Sequence, residues 1–243
     1  MPATHYKIAD WGDPVGEGVS DARLISVSGV AKTSKATEPN IVANEYVCAR
    51  LAAAVGLPIP PGFLVKEDGT SWFVSLNFNL SGEKLPPIIP RLLVARKPEL
   101  CAGILLFDAW ILNPDRHAKN LMHYEKTDAV QVFDHSRALM PTDLPQQQYA
   151  TSMVNSPAIG AHCLAPVIAD GSTFTHWHQR IMAVAEHQIT DALNEAAEVG
   201  LEPANVNFFR DYLLDRRTRL PNIVAANTSV FPGLNLGTLP WTV

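Results

Sequence analysis

Apolar and polar positions along this chain change period several times, and each change marks an element. Residues 23–32, RLISVSGVAK, alternate Leu24, Ser26 and Ser28 with Ile25 and Val27. That period predicts one or two short strands, with a turn or bulge at Gly29. Residues 1–20, with Gly12, Gly16 and Gly18 among acidic and small residues, read as loop or irregular edge. Residues 40–55 carry apolar side chains at Ile41, Val42, Val47, Leu51 and Val55, followed by Gly56 and Pro58. This is a helix with a C-terminal glycine cap and a proline stop. GFLV, the charged turn KEDGT and WFVSL then predict a β-hairpin turning at Asp68-Gly69. Residues 77–90, polar and then Pro-rich, read as a connection between lobes.

Residues 100–112 form the most apolar run and predict a buried helix, too short for a bilayer span and ended by Pro114. A polar stretch follows, then a short strand ending at residues 130–133, then Asp134. Residues 137–172, rich in Pro, Gln and Ser, show no assignable period. Helices are expected at 174–199 and 205–217, and no period is evident after 221. A strand–helix–hairpin unit thus precedes a mainly helical part. The pattern predicts an α+β chain in two lobes: residues 1–80 as a small β-rich N-lobe, residues 81–243 as a helical C-lobe.

With 243 residues, 47% hydrophobic and 18% charged, the chain can bury a substantial core. A net charge of −5 advertises no broad basic surface, so neither direct nucleic-acid binding nor membrane attachment is expected. Cys48, Cys101 and Cys163 are far apart and form no C-x-x-C pair. That argues against a disulfide framework or zinc site and for a reducing compartment. The N-terminal MPATHYKIADWGD has no apolar signal core, and a cytoplasmic location is expected.

The chemistry concentrates in FDAWILNPDRHAKNLM and the later VQVFDHSRAL. A buried helix stops at a proline, a short loop offers Asp115, His117 and Asn120, and an apolar strand delivers Asp134. Phosphoryl transfer needs a carboxylate to orient the attacking hydroxyl and oxygen ligands to hold Mg²⁺ against nucleotide phosphates. Asp115 can fill the first role, Asn120 and Asp134 the second.

The string Asn113-Pro114-Asp115-Arg116-His117-x-x-Asn120 resembles the catalytic loop of HipA-like kinases, and its D-R-H-x-x-N order also occurs in phosphatidylinositol kinases. Asn44-Glu45 followed by ARLAAAVGLPIPP resembles the same family's helix, which ends at a GLP motif. The resemblance spans about residues 20–140 and implies a bilobal protein-kinase-like fold. It implies ATP and Mg²⁺ as cofactors, and Glu45 as the helix acid pairing with a strand lysine that grips the phosphates. Lys32 is the choice for that lysine, with Lys35 the alternative; Gly16/Gly18 or Gly29 are the candidates for the phosphate-covering loop. Asp134-His135-Ser136 replaces the D-F-G of ordinary protein kinases, as in the HipA-like group. The activity implied is transfer of the ATP γ-phosphoryl group to a serine or threonine hydroxyl of a protein, with an antitoxin-like regulatory partner as a further implication. The alternatives are a kinase-shaped module acting only by contact and a small-molecule or lipid kinase.

Other residues have plainer expectations. His117 is expected to brace the loop through backbone or Asp134. Arg116 is equally a phosphate contact or a solvent-facing side chain. Asp108, in an apolar helix, needs a partner, for which the loop's backbone amides are the expectation. The histidines at 176, 178 and 187 read as an ordinary amphipathic helix, and Arg216, Arg217 and Arg219 as a solvated helix end.

Overall fold

The computed structural model describes residues 6–16, 22–79, 86–141 and 144–241. Strand β1 (Ile8–Pro14) pairs antiparallel with β2 (Arg23–Val27) in a ribbon exposed throughout. After Ser28 the chain enters a separate antiparallel sheet of order β3-β5-β4, built from β3 (Gly29–Thr33), β4 (Gly62–Glu67) and β5 (Thr70–Leu76). The alternation across residues 23–32 is therefore two strands in two sheets. Of the loop or irregular edge expected over residues 1–20, β1 is the irregular edge, and residues 1–5 and 17–20 lie outside the described residues. Register shifts between Ile8 and Asp10 and between Trp11 and Pro14 break the period that would have marked it.

Helix α1 (Ile41–Val55) joins β3 to β4 and covers the three-stranded sheet. It ends where its sequence says, at Gly56, whose φ of 77° suits a residue without Cβ and whose N–H caps the last turn. The helical part begins with α2 (Pro90–Arg96) and α3 (Pro98–Trp110). Every residue of α3 from Leu100 to Trp110 is buried, so it is the axis of the core. It stops before the expected residue 112, because Leu112 turns left-handed at φ 55° ahead of Pro114. The hairpin of β6 (Leu121–Tyr124) and β7 (Ala129–Val132) follows.

Four more helices close the fold: α4 (Gln146–Ser152), α5 (Phe174–Met182), α6 (Glu186–Ala197) and α7 (Val206–Ala226). The single helix expected over 174–199 is two. The helix expected to stop at 217 runs on through Pro221, because buried Leu220, Ile223 and Val224 keep its inner face in register. Arg216 is not solvated as expected. It is buried on that face and donates to the carbonyls of Ala109, Met153 and Ser156, tying α7 to α3 and to the loop after α4.

Helix α1 also packs against α6, and a cluster of Val42, Tyr46, Ala49, Phe73 and Val199 bridges sheet and helices. The result is an α+β architecture with a small β-rich lobe and a mainly helical one. Among the described residues, no helix is long and apolar enough to cross a membrane.

Helices α3 and α5 meet at Gly103, where the Trp177 indole lies directly on the glycine and donates Nε1–H to the Glu99 carbonyl at 2.7 Å. A Cβ at position 103 would overlap that ring. Gly103→Ala should therefore destabilise the protein by about 1–3 kcal/mol, as overpacking does. Urea unfolding with Trp177 fluorescence measures this; unchanged stability would mean that the two helices separate freely.

Candidate active site

Three chain segments deliver charged side chains to one place. Lys32 stands on β3 opposite Phe73, Glu45 is buried in α1, and Asp134 follows β7. Lys32 Nζ lies 2.5 Å from Glu45 Oε1 and 2.8 Å from Asp134 Oδ1. Burial lowers the lysine's proton affinity, but the two carboxylates overcome it and raise its pKa above the ordinary value. Burial raises the Glu45 carboxyl, against the pull of the Lys32 ammonium. Burial acts the same way on Asp134, yet Lys32 and the Ser136 hydroxyl hold its carboxyl well below the usual range. One ammonium between two carboxylates leaves the group a charge short of neutral, an environment that favours a further cation.

The group edges a cavity of about 220 Å³. Its other walls are mainly apolar: Val30, Ile59, Phe73, Phe78 and Phe133. The Phe78 and Phe133 rings pack with centroids 5.1 Å apart. A mainly apolar cavity lined also by a lysine suits a heteroaromatic ring carrying phosphates.

The loop after α3 is held by its own side chains. Asn113 donates Nδ2–H to Asp108 Oδ1 at 2.9 Å and accepts from the Asp115 N–H at 3.2 Å. Asn120 donates Nδ2–H to the Asp115 carbonyl at 3.0 Å. That use of the amide leaves Asn120 Oδ1 with no donor among the described residues. The Asp115 carboxylate is partly exposed, with Arg137 Nε 3.9 Å away. His117 is exposed, and its ring accepts from the Lys119 N–H at 3.2 Å. It thus braces the loop through backbone and makes no contact with Asp134.

Arg116 joins this loop to the Asp134 segment. It is fully buried, pairs with Asp108 through two nitrogens (2.8 and 3.0 Å), and donates to the carbonyls of Asn120 (3.2 Å) and Phe133 (2.6 Å). Its Nη2 also meets His135 Nε2 at 2.8 Å. Phe133 N–H bonds the Asn120 carbonyl at 3.2 Å, so the two segments run side by side. Neither expectation for Arg116 holds, and Asp108 takes this guanidinium, His162 and Asn113 rather than loop amides as partners. Burial would raise the Asp108 carboxyl, but Arg116 and His162 hold it well below the usual range. Burial and Arg116 together depress His135 to about 3, so its ring is neutral and accepts from the guanidinium.

On the other side, Asn44 is fully buried. It donates to the carbonyls of Ser136 (2.8 Å) and Met140 (2.9 Å) and accepts from the Met140 N–H at 3.3 Å. Arg116 and Asn44 thus bracket Asp134, which sits at φ 64°, with Leu112 and Leu139 also left-handed nearby. Such backbone costs roughly 1–2 kcal/mol per residue and persists only where surroundings over-determine it.

Lys35 lies away from this group, bonded through its backbone to Glu38. Gly29 opens β3, and Gly16 turns at φ 69° beyond β1. Gly18 lies outside the described residues. No group of three His, Cys, Asp or Glu able to hold a metal occurs among the described residues. The fit is to an ion that brings most of its own ligands. Asn120 Oδ1 and Asp134 are two hard oxygens, and Mg²⁺ is commonly held by one or two such groups plus phosphates.

No family model matches the sequence, and no curated protein matches it. Among solved structures, the chain is similar to the Helicobacter pylori proinflammatory kinase CtkA, with a TM-score of 0.53 and 13% identity over 83% of this chain and 90% of that one. A weaker likeness is to HipA from a Shewanella oneidensis MR-1 toxin–antitoxin complex with HipB and operator DNA, with a TM-score of 0.45 and 16% identity over 91% of this chain and 62% of that one. At such identity, the first of these likenesses establishes the fold: this chain has a kinase-like fold.

The Asp108–Arg116 pair makes stability depend on acid. A carboxyl depressed in the folded state contributes fully above its unfolded pKa, near 3.9, and that contribution fades as pH falls below it. Asp108→Asn should cost about 3–5 kcal/mol at pH 7, since it strands a buried guanidinium. It should also flatten the stability loss between about pH 5 and pH 2. Denaturant titrations across that range test both; an unchanged acid slope would place the sensitivity elsewhere.

Proposed function

We propose that this protein is an ATP-dependent phosphotransferase, a HipA-like serine/threonine protein kinase whose β-rich lobe, ending near residue 80, covers the nucleotide. The observation that carries this reading is the meeting of Lys32, Glu45 and Asp134, from three separate segments, at the edge of a mainly apolar cavity. The kinase-like fold supports it.

In this reading Lys32 extends to phosphate oxygens and Glu45 holds it there. Asn120 Oδ1 and the Asp134 carboxylate supply the two protein ligands of Mg²⁺. When bound, Mg-ATP supplies the γ-phosphoryl group, and the metal neutralises charge on its oxygens. Asp115, partly open to solvent on the same loop as Asn120, would accept the hydrogen bond of the acceptor hydroxyl and orient it for transfer. His117 steadies the loop from outside and moves no proton. Phe78 and Phe133 exclude water from the base.

One observation favours a second reading, a module acting only by contact. Asp134 Oδ1 is already engaged by both Lys32 and Ser136. A divalent ion has to displace or share those bonds.

Asp115→Asn separates the readings. Phosphoryl transfer from γ-labelled ATP to lysate protein should fall about 10²–10⁴-fold, the usual worth of a positioned carboxylate. Calorimetric Mg-ATP affinity should stay within about twofold, because Asp115 touches no phosphate in this scheme. Transfer by Asp115→Asn at the wild-type rate would remove Asp115 from the mechanism. No transfer by wild-type protein would favour the contact-only reading.

A further inference from the structure

Beside the Asp115 loop lies a surface that the phosphotransfer scheme leaves unused. Ile88 N–H bonds the carbonyl of Ala118 at 3.2 Å, fixing the start of α2 against the turn between His117 and Asn120. The next residues face outward. Ile89 is 60% and Leu92 63% exposed, large values for such side chains, and Pro86 and Pro87 precede them in the open. Leu92 N–H bonds the Ile89 carbonyl, so the two stand one turn apart.

The charge here is one-sided. Residues 86–98, PPIIPRLLVARKP, contain Arg91, Arg96 and Lys97 and no acid, in a chain of net charge −5. Arg96 and Lys97 share Asp128 with His123. Arg91 and, across the Ala118 contact, Lys119 are exposed and have no acidic partner among the described residues. Among the described residues Glu99 is the acid nearest Arg91 in sequence and Asp115 the one nearest Lys119, and neither pairs with them; Glu83, as near to Arg91, lies outside the described residues.

We propose that Ile89, Leu92, Arg91 and Lys119 form the docking ledge for the phosphoacceptor, and that the acceptor is a polypeptide segment with leucine-like and acidic side chains around its hydroxyl residue. This rests on the kinase reading of Asp115. Charge complementarity selects the acidic segment, since Arg91 and Lys119 have no acidic partner among the described residues and lie on the two segments joined at Ile88 and Ala118. The spacing admits an extended polypeptide. One helical turn is about 5.4 Å, close to the roughly 6.6 Å between alternate residues of a strand. Apolar side chains at positions i and i+2 of the segment meet Ile89 and Leu92, and acidic ones beyond them on the same face, at i−2 or i+4, meet Arg91 and Lys119. A small hydrophilic acceptor has no use for the apolar pair.

The test uses the full chain, Arg91→Glu and Leu92→Ser, both exposed changes, with melting temperatures recorded. Three fluorescein-labelled peptides containing a serine are titrated by anisotropy: two leucines at alternate positions with glutamates two positions beyond each, the same with lysines for glutamates, and the same with serines for leucines. A single-stranded DNA 12-mer is the fourth probe. The leucine–glutamate peptide should bind at least about tenfold tighter than either altered peptide, and each substitution should weaken it by a similar factor. ATP turnover without peptide should be the same in both variants as in wild type. Equal binding of all peptides, binding unchanged by both substitutions, or tighter binding of the DNA overturns the ledge. Charge-selective peptide binding without any ATP turnover keeps the ledge as a docking surface and sinks the kinase reading. Turnover without selective binding sinks the ledge alone.

Discussion

A lysine ammonium with two carboxylates is the interaction on which the rest of this structure depends. Lys32, Glu45 and Asp134 come from a strand, a helix and a post-strand turn, with partners 13 and 102 positions apart. None of these charges is cheap to bury, and Glu45 is almost wholly out of water. Each is tolerated because the other two are in place. The sheet, helix α1 and the segment after β7 are thus joined by charge as well as by their apolar core. Stability and site geometry are the same requirement here.

Two buried polar side chains enforce that arrangement from outside the triad. Arg116 draws the Asp115 loop and the Asp134 segment together through Asn120, Phe133 and His135, with Asp108 balancing its charge. Asn44 ties α1 to residues 136 and 140 on the other flank. Helix α1 is buried over most of its length, between sheet and α6. It is built into the core, and the Lys32–Glu45 pair is assembled in the resting protein.

Much of this was legible in the sequence. Helix α1, its glycine cap and the Asp68-Gly69 hairpin follow from period and turn chemistry, which act locally. That the Asp115–Asn120 loop follows a helix stop and Asp134 follows a strand end is likewise local, and both are as the period implies. Neither a phosphate contact nor solvent exposure describes Arg116, because an arginine in a polar loop carries no local sign of burial. Its burial depends on Asp108, eight residues earlier, whose need for a partner was visible but not who would meet it. Asn44 and His135 gave no local signal, since their partners lie 92 and 19 residues away. Strand β1 was hidden by its bulges, and α7 was cut short because Pro221 reads as a stop when burial of its neighbours is not yet known.

Titration calorimetry of the purified protein with ATP, with and without Mg²⁺, tests the central claim most directly. Wild type should bind ATP in a Mg²⁺-dependent manner. Lys32→Met should lose most of that affinity, and Asp134→Asn should lose the Mg²⁺ dependence while remaining folded. Binding that ignores Mg²⁺ and both substitutions, or no heat at millimolar ATP, would contradict the reading of the lysine and its two acids as a nucleotide-phosphate site.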